Sequence, residues 1–178
     1  MAIRPAVPAR DARACAAIYA PYVRETPISF EEVAPTADEM AARMRRVIET
    51  HPWLVCERGG VVVGYAYASE HRARAAYRWS AEVAIYIHRD HHRQGVGRAL
   101  YAELLERLRA QGFRAAFGGI TLPNAGSVAL HEAMGFRPIG VYRAIGWKAG
   151  AWHDVGWWQL DLLPAGPEPP LPLRPPAR

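Results

Sequence analysis

Residues 79–87 alternate strictly: Trp79, Ala81, Val83, Ile85 and Ile87 fall on one side, and Ser80, Glu82, Ala84 and Tyr86 on the other. A period of two, carried by β-branched and aromatic residues, predicts a strand. From Gly95 the period lengthens. Val96, Leu100, Leu104 and Leu108 recur every fourth residue with Arg and Glu between them, which predicts an amphipathic helix. The same two periods divide the rest of the chain. Residues 3–6 read as a first strand that Pro8 ends, and residues 11–24 carry Ala14, Ile18 and Tyr22 at helical spacing. Thr36, with Glu39 three residues on, forms a capping box for a helix whose apolar row is Met40, Met44 and Ile48. Residues 53–57 and 61–69 flank Arg58-Gly59-Gly60, a hairpin signal. Residues 115–122 predict another strand. Ser127 stands near the start of a helix through Val128, Leu130 and Met134, and Gly135 stops it. Residues 136–147 and 153–162 predict a closing pair of strands. The order β-α-α-β-β-β-α-β-α-β-β predicts an α/β (mixed α+β) domain with helices on both faces of one mixed sheet.

Composition adds limits. A chain of 178 residues, 51% hydrophobic, is enough for one domain with a real core. Residues 164–178 hold seven of the fifteen prolines, so the domain spans residues 1–163 and an extended, mobile arm follows. The net charge of +5 comes from arginines scattered among acidic residues, with no basic run or aromatic stacking platform, and argues against a nucleic-acid partner. Cys15 and Cys56 sit in apolar segments, as buried thiols of a reducing compartment do. No leader precedes Ile3, and no apolar run approaches the roughly 18 residues of a membrane span, so a cytoplasmic protein without a membrane partner is expected. His153-Asp154 lacks a third ligand, and no metal is expected.

Between the strand and the helix at its centre, residues 88–98 are basic and glycine-bearing, a natural anion site. No Lys follows either glycine, which excludes a Walker A loop, and Leu100 stands where a dinucleotide fingerprint needs its third glycine. Glu82, in mid-strand, is either a general base with a raised pKa or a structural carboxylate paired with an arginine such as Arg78. His131 is either a proton donor titrating near neutrality or a half-buried helix residue. Arg72 and Arg74 precede the strand, where a guanidinium suits an α-carboxylate, and Phe30, Tyr77 and Trp79 could wall a side-chain pocket.

His92-Arg93-Gln94-Gly95-Val96-Gly97 resembles the acetyl-CoA loop [QR]-x-x-G-x-[GA] of the GCN5-related N-acetyltransferases (GNAT), departing at His92. Residues 122–136, an Asn-turn-helix ending in Gly-Phe, resemble the second family signature. Residues 76–82, 111–113 and 152–159 are similar to the phosphinothricin and methionine sulfone/sulfoximine acetyltransferase branch. The resemblance implies the GNAT fold, a twisted and mostly antiparallel sheet, and acetyl-CoA as co-substrate. It implies that the thioester arm pairs with the main chain of Tyr86, Ile87 and His88. The pyrophosphate would meet N–H groups of Gln94, Gly95, Val96, Gly97, Arg98 and Ala99, helped by the side chains of Arg93 and Arg98, with Asn124 and Ser127 on the pantetheine arm. Glu82 would act as base, through water, on the α-amino group of a small amino acid or analogue. His131 occupies the position where much of the superfamily has a proton-donating Tyr. Phe30, Arg72, Arg74, Tyr77, Val83, Ala84 and Ile85 would surround the acceptor. Relatives often carry Arg where Glu31 stands, and a carboxylate there favours the sulfone and sulfoximine over the anionic phosphinate. Trp147, Trp152, Trp157 and Trp158 exceed what one small sheet face buries and imply a homodimer. Other readings are acetylation of a polyamine, an aminoglycoside or a protein N-terminus, which Arg72 and Arg74 disfavour, and a non-catalytic acyl-CoA sensor, which Glu82 disfavours.

Overall fold

Every predicted element is present, in the predicted order, in the computed structural model, which describes residues 1–177. They are β1 (Ala2–Pro5), α1 (Pro8–Glu25), α2 (Ala37–Val47), β2 (Trp53–Arg58), β3 (Val61–Glu70), β4 (Ser80–Ile87), α3 (Val96–Gln111), β5 (Ala115–Leu122), α4 (Ala125–Ala133), β6 (Arg137–Lys148) and β7 (Ala151–Asp161). Local chemistry explains the boundaries. Thr36 N donates to Glu39 Oε2 (2.7 Å) and Glu39 N to Thr36 Oγ1 (3.2 Å), so the capping box closes reciprocally. Gly59 and Gly60, with φ of +55° and +80°, make the β2–β3 turn. One expectation shifts. Pro8 opens α1 rather than simply ending β1, because its missing N–H costs nothing in a first helical turn. Ser127 lies in the first turn of α4, as its sequence position implied, and Asn124 caps the helix: its side chain accepts from Ser127 N at 3.1 Å.

The strands form one sheet in the order β1-β2-β3-β4-β5-β7-β6, antiparallel throughout except between β4 and β5. Alternation sends each strand's residues to two cores. Leu54, Val63, Ala66, Ala81 and Val83 meet Val96, Leu100, Leu104 and Leu108 of α3 on one face. Trp53, Val55 and Tyr65 meet Cys15, Ile18 and Tyr19 of α1 and Met40 and Met44 of α2 on the other. Asp11, buried in α1, accepts from Arg4 through both oxygens (2.7 Å each) and from Val7 N (2.7 Å), tying β1 to the helix start.

The proline-rich tail is extended but docked, which corrects the mobile arm. Arg174 N donates to Gln111 O (2.8 Å), Gln111 Nε2 to Arg174 O (2.9 Å) and Trp79 Nε1 to Leu171 O (2.9 Å), while Leu173 packs on the α3 core. The tail's main chain finds partners at the end of α3, which composition alone could not reveal.

The feature that positions a site is where strand pairing stops. β4 and β5 pair only over Ser80–Glu82 against residues 115–117, and beyond that the two strands diverge. His88 N donates to Val63 O (2.9 Å), and antiparallel pairing alternates. The main-chain groups of Val83, Ile85 and Ile87 therefore turn away from β3, toward the opening that β5 leaves.

Candidate active site

Glu82 is the last residue of β4 to pair with β5, so its carboxylate lies at the apex of the opening. Its neighbours in register, Ser69 on β3 and Phe117 on β5, share its face. The same face carries Tyr86 and, through the β5–β7 register, Gly119, Thr121, Val155 and Trp157. With Tyr19 of α1 and residues 28–31 these border an open cleft of roughly 570 Å³. The loop over the cleft is fastened from three sides. Lys148 Nζ donates to the carbonyls of Val23 (2.7 Å), Glu31 (2.7 Å) and Ser29, Thr121 Oγ1 donates to Ile28 O (3.2 Å), and Tyr19 OH bonds Ser29 Oγ (2.6 Å).

Burial pushes the Glu82 carboxyl above its usual range, and the nearby Arg72 guanidinium offsets part of that rise. Arg78 does not pair with it; that guanidinium lies over the Trp79 ring, 4.4 Å from its centroid. One neighbour of Glu82 was not anticipated. His71 Nδ1 is 3.6 Å from Glu82 Oε2, and its ring stacks on Phe117 with centroids 4.3 Å apart.

His131 sits elsewhere. It is 3% exposed, beneath Gly118, and both ring nitrogens are engaged. Nδ1–H donates to Ser127 O (2.8 Å), which leaves Nε2 to accept from Tyr101 OH (3.0 Å). Burial lowers its pKa, so it is neutral at pH 7. The geometry makes it a member of the core between α3, α4 and β5, apart from the residues bordering the cleft.

Of the expected acceptor residues, Phe30 borders the cleft and rests against Gly146. Ala84 shares the face of Glu82, whereas Val83 and Ile85 point their side chains into the α3 core, the strand alternation placing them opposite. Only their main chain reaches the opening. Arg72 stands over the Trp157 ring at 5.6 Å, lining a second, smaller cleft of roughly 200 Å³ with His71, Phe117, Tyr142 and Trp157. Arg74 is exposed at the start of a short 3₁₀ turn (Ala75–Tyr77), and Tyr77 is half outside, its ring 6.5 Å from His71. The structure thus brings Arg72 to the site and leaves Arg74 on the surface. Glu31 does not present a bare charge. Arg43 of α2 grips both its oxygens (2.7 and 2.8 Å) and Tyr19 OH donates to it (2.9 Å), so the repulsion expected of it is compensated.

The loop after β4 has the features expected of an anion cradle. Arg93 and Gly95 take positive φ (56° and 79°), no side chain caps the start of α3, and Arg93 and Arg98 are exposed beside it. Arg58, reaching from the β2–β3 hairpin, donates to Gln94 O (2.8 Å) and to its side chain, while Gln94 Nε2 donates to Asp90 O (2.7 Å). His92, the departure from the motif, has a structural task. Tyr22 OH donates to Ile87 O (2.6 Å), and His92 Nε2 lies 2.9 Å from that hydroxyl and 3.0 Å from the same carbonyl. Ile87 O is thereby held within the protein. Gly97 serves close packing: a Cβ there would lie 3.0 Å from Leu130 and 3.1 Å from Ile87. Tyr86 turns its ring to the α1 side, against Tyr19 and Tyr22.

Sequence reading missed His71, Phe117, Thr121, Tyr142, Trp157, Tyr19 and Arg43. Alternation marks Phe117 and Thr121 as sharing one face of β5. Only the parallel β4–β5 pairing says that this is the face of Glu82.

The Acetyltransferase (GNAT) domain family matches residues 5–157. The chain is 44% identical to the phosphinothricin N-acetyltransferase of Streptomyces viridochromogenes, over 97% of this chain and 93% of that one. It is 33% identical to the L-methionine sulfoximine/L-methionine sulfone acetyltransferase of Salmonella typhimurium, over 85% and 91%. In three dimensions it is similar to a Sinorhizobium meliloti phosphinothricin acetyltransferase crystallised with acetyl-CoA: TM-score 0.90, 37% identity, 96% of this chain and 92% of that one.

Proposed function

The chain belongs to the GNAT acetyltransferase family, and from that premise we propose that it acetylates the α-amino group of a small amino acid or amino-acid analogue, with Glu82 as general base. Acetyl-CoA is the co-substrate. The observation that carries the reading is the position of Glu82 at the point where β4 and β5 part. The main-chain groups of Val83 and Ile85 face that opening and suit an extended amide arm, which bound acetyl-CoA would supply together with its acetyl thioester. The uncapped start of α3, with Arg93 and Arg98, suits the phosphates.

An amino acid in solution carries an ammonium group, which must lose a proton before it can attack. A half-buried carboxylate with a raised pKa is matched to that task, directly or through one water. Arg72, beside the cleft, would hold the acceptor's carboxylate, and Trp157, Tyr142 and Phe30 would enclose its side chain. A polycationic acceptor finds less support, because Glu31 is already paired with Arg43. The phosphinate, sulfone and sulfoximine analogues all remain in the proposed class.

We also propose that two copies associate through the β6–β7 end. Ile139, Val141, Ile145, Trp147 and Trp152 are exposed there, 40% to 62%, while Trp158 is buried within its own chain. The function is tested by thiol release from acetyl-CoA across methionine sulfone, methionine sulfoximine, phosphinothricin, the common L-amino acids, spermidine and an aminoglycoside. Turnover confined to α-amino acids and their analogues is expected; turnover of the polycations alone would overturn the assignment.

A further inference from the structure

Acetyl transfer from a thioester to an ammonium releases one proton per turnover: R–NH₃⁺ and the thioester become the amide, the free thiol and H⁺. Two protons leave the nitrogen. One ends on the departing sulfur; the other, taken by the base, must reach solvent. With acetyl-CoA and acceptor both in the cleft, the path back through that cleft is filled. A second, smaller cleft lies beside it.

We infer that His71 takes the proton from Glu82 and delivers it to solvent through the smaller cleft on its other side. This rests on the reading of Glu82 as the base. Nδ1 of His71 is buried without a hydrogen-bond partner, 3.6 Å from Glu82 Oε2. An orphaned polar atom in such a place is costly, and among the described residues the only acid within reach is Glu82. The separation is just beyond a direct hydrogen bond, and catalytic bonds commonly tighten only in the loaded complex. The residue does not border the Glu82 cleft; it borders the one of roughly 200 Å³ beside it, with Arg72 and Phe117, and the two clefts share Tyr142 and Trp157 as a wall. Its ring is held by stacking on Phe117 and edge-on against Trp157.

The surroundings suit a relay. The groups facing the ring are Glu82 from β4, Phe117 from β5, Trp157 from β7, Tyr77 from the 3₁₀ turn and Arg72 from its own loop. Burial, with Arg72 second, lowers the imidazole's pKa, so it is neutral and able to receive. Nδ1 accepts the proton from the Glu82 carboxyl, restoring the carboxylate, and the Nε2 proton passes to water in the second cleft. When product departs, the Nδ1 proton returns by way of the Glu82 carboxylate to the reopened main cleft, and Nε2 is reprotonated from the second. The net result is one proton released.

The test uses the whole protein with acetyl-CoA and methionine sulfone. His71→Phe keeps the stack on Phe117 and removes both nitrogens. It should lower kcat by about 10²-fold, the low end of what positioned proton-transfer groups contribute, with both KM values little changed. His71→Ala should show the same loss and recover with added imidazole, which fits the space vacated. An unchanged kcat in folded His71→Phe, or a loss in His71→Ala that imidazole does not relieve, would overturn the relay. Glu82→Gln measured in parallel separates the two claims. A low kcat there beside a normal His71→Phe removes only the relay, and a normal kcat in Glu82→Gln removes the base and the relay together.

Discussion

At the scale of single residues, the charged groups divide into those that hold the fold and those left free for chemistry. Asp11 belongs to the first. Burial alone would raise its pKa, but hydrogen bonds from Arg4 and Val7 N hold it below the usual carboxylate range. The stability it contributes is present above its unfolded pKa and is lost as pH falls through the folded value. Asp11→Asn should cost about 3 kcal/mol, the low end for breaking a buried pair, since Arg4 keeps Glu57. Urea denaturation at pH 7 and near pH 3 checks it: the variant should lose the most at pH 7. Arg72 belongs to the second group. If it holds the acceptor's carboxylate, Arg72→Ala should lower kcat/KM for methionine sulfone about tenfold or more, a charge-assisted bond contributing about 1.5–3 kcal/mol. The α-amide should be a poor substrate for both proteins. Equal rates for acid and amide would remove the clamp, and Arg74→Ala should have little effect. Glu82 was legible as a mid-strand carboxylate. The state of Glu31 was not, because its partner Arg43 lies on another helix and the pairing exists only after folding.

At the scale of elements, periodicity carried most of the fold, because both cores are built from strictly alternating strands and four-residue helical rows. Strand pairing was harder to read. Nothing in residues 79–87 or 115–122 alone says that they run parallel or that they separate after three pairs. The β4–α3 loop was legible from its glycines, although the packing of Gly97 was not. A side chain there meets Leu130 and Ile87, so substituting it disturbs packing as well as binding. Arg93 and Arg98 give a cleaner test. Both are exposed and make no ion pair among the described residues, so alanine at both should leave Tm unchanged. Acetyl-CoA affinity, measured by calorimetry, should fall at least tenfold, and the loss should shrink at high salt. An unchanged affinity would move the phosphate site elsewhere.

At the scale of the whole molecule, the β6–β7 end and the tail show the limits of composition. Four tryptophans pointed to an unburied surface. Folding buries Trp158, half-buries Trp157 and leaves Trp147 and Trp152 outside, 58% and 62% exposed. A contiguous apolar end of this kind marks an interaction surface. Light scattering at micromolar concentration should give twice the 19.8 kDa chain mass, and Trp152→Glu should return it to monomer. A wild-type monomer would contradict the proposed association. The tail's prolines predicted its extended form but not its docking, which depends on main-chain partners at Gln111 and an indole at Trp79.

The central claim is that a half-buried carboxylate at the parting of β4 and β5 removes the amine proton. It is tested most directly by the pH dependence of kcat for methionine sulfone in wild type and Glu82→Gln. Wild-type activity should rise through a limb lying above the ordinary carboxylate range, because burial raises Glu82. Glu82→Gln should lower kcat roughly 10²–10⁴-fold, abolish that limb and leave acetyl-CoA affinity little changed. A near-normal kcat at neutral pH, with the limb intact, would contradict the account.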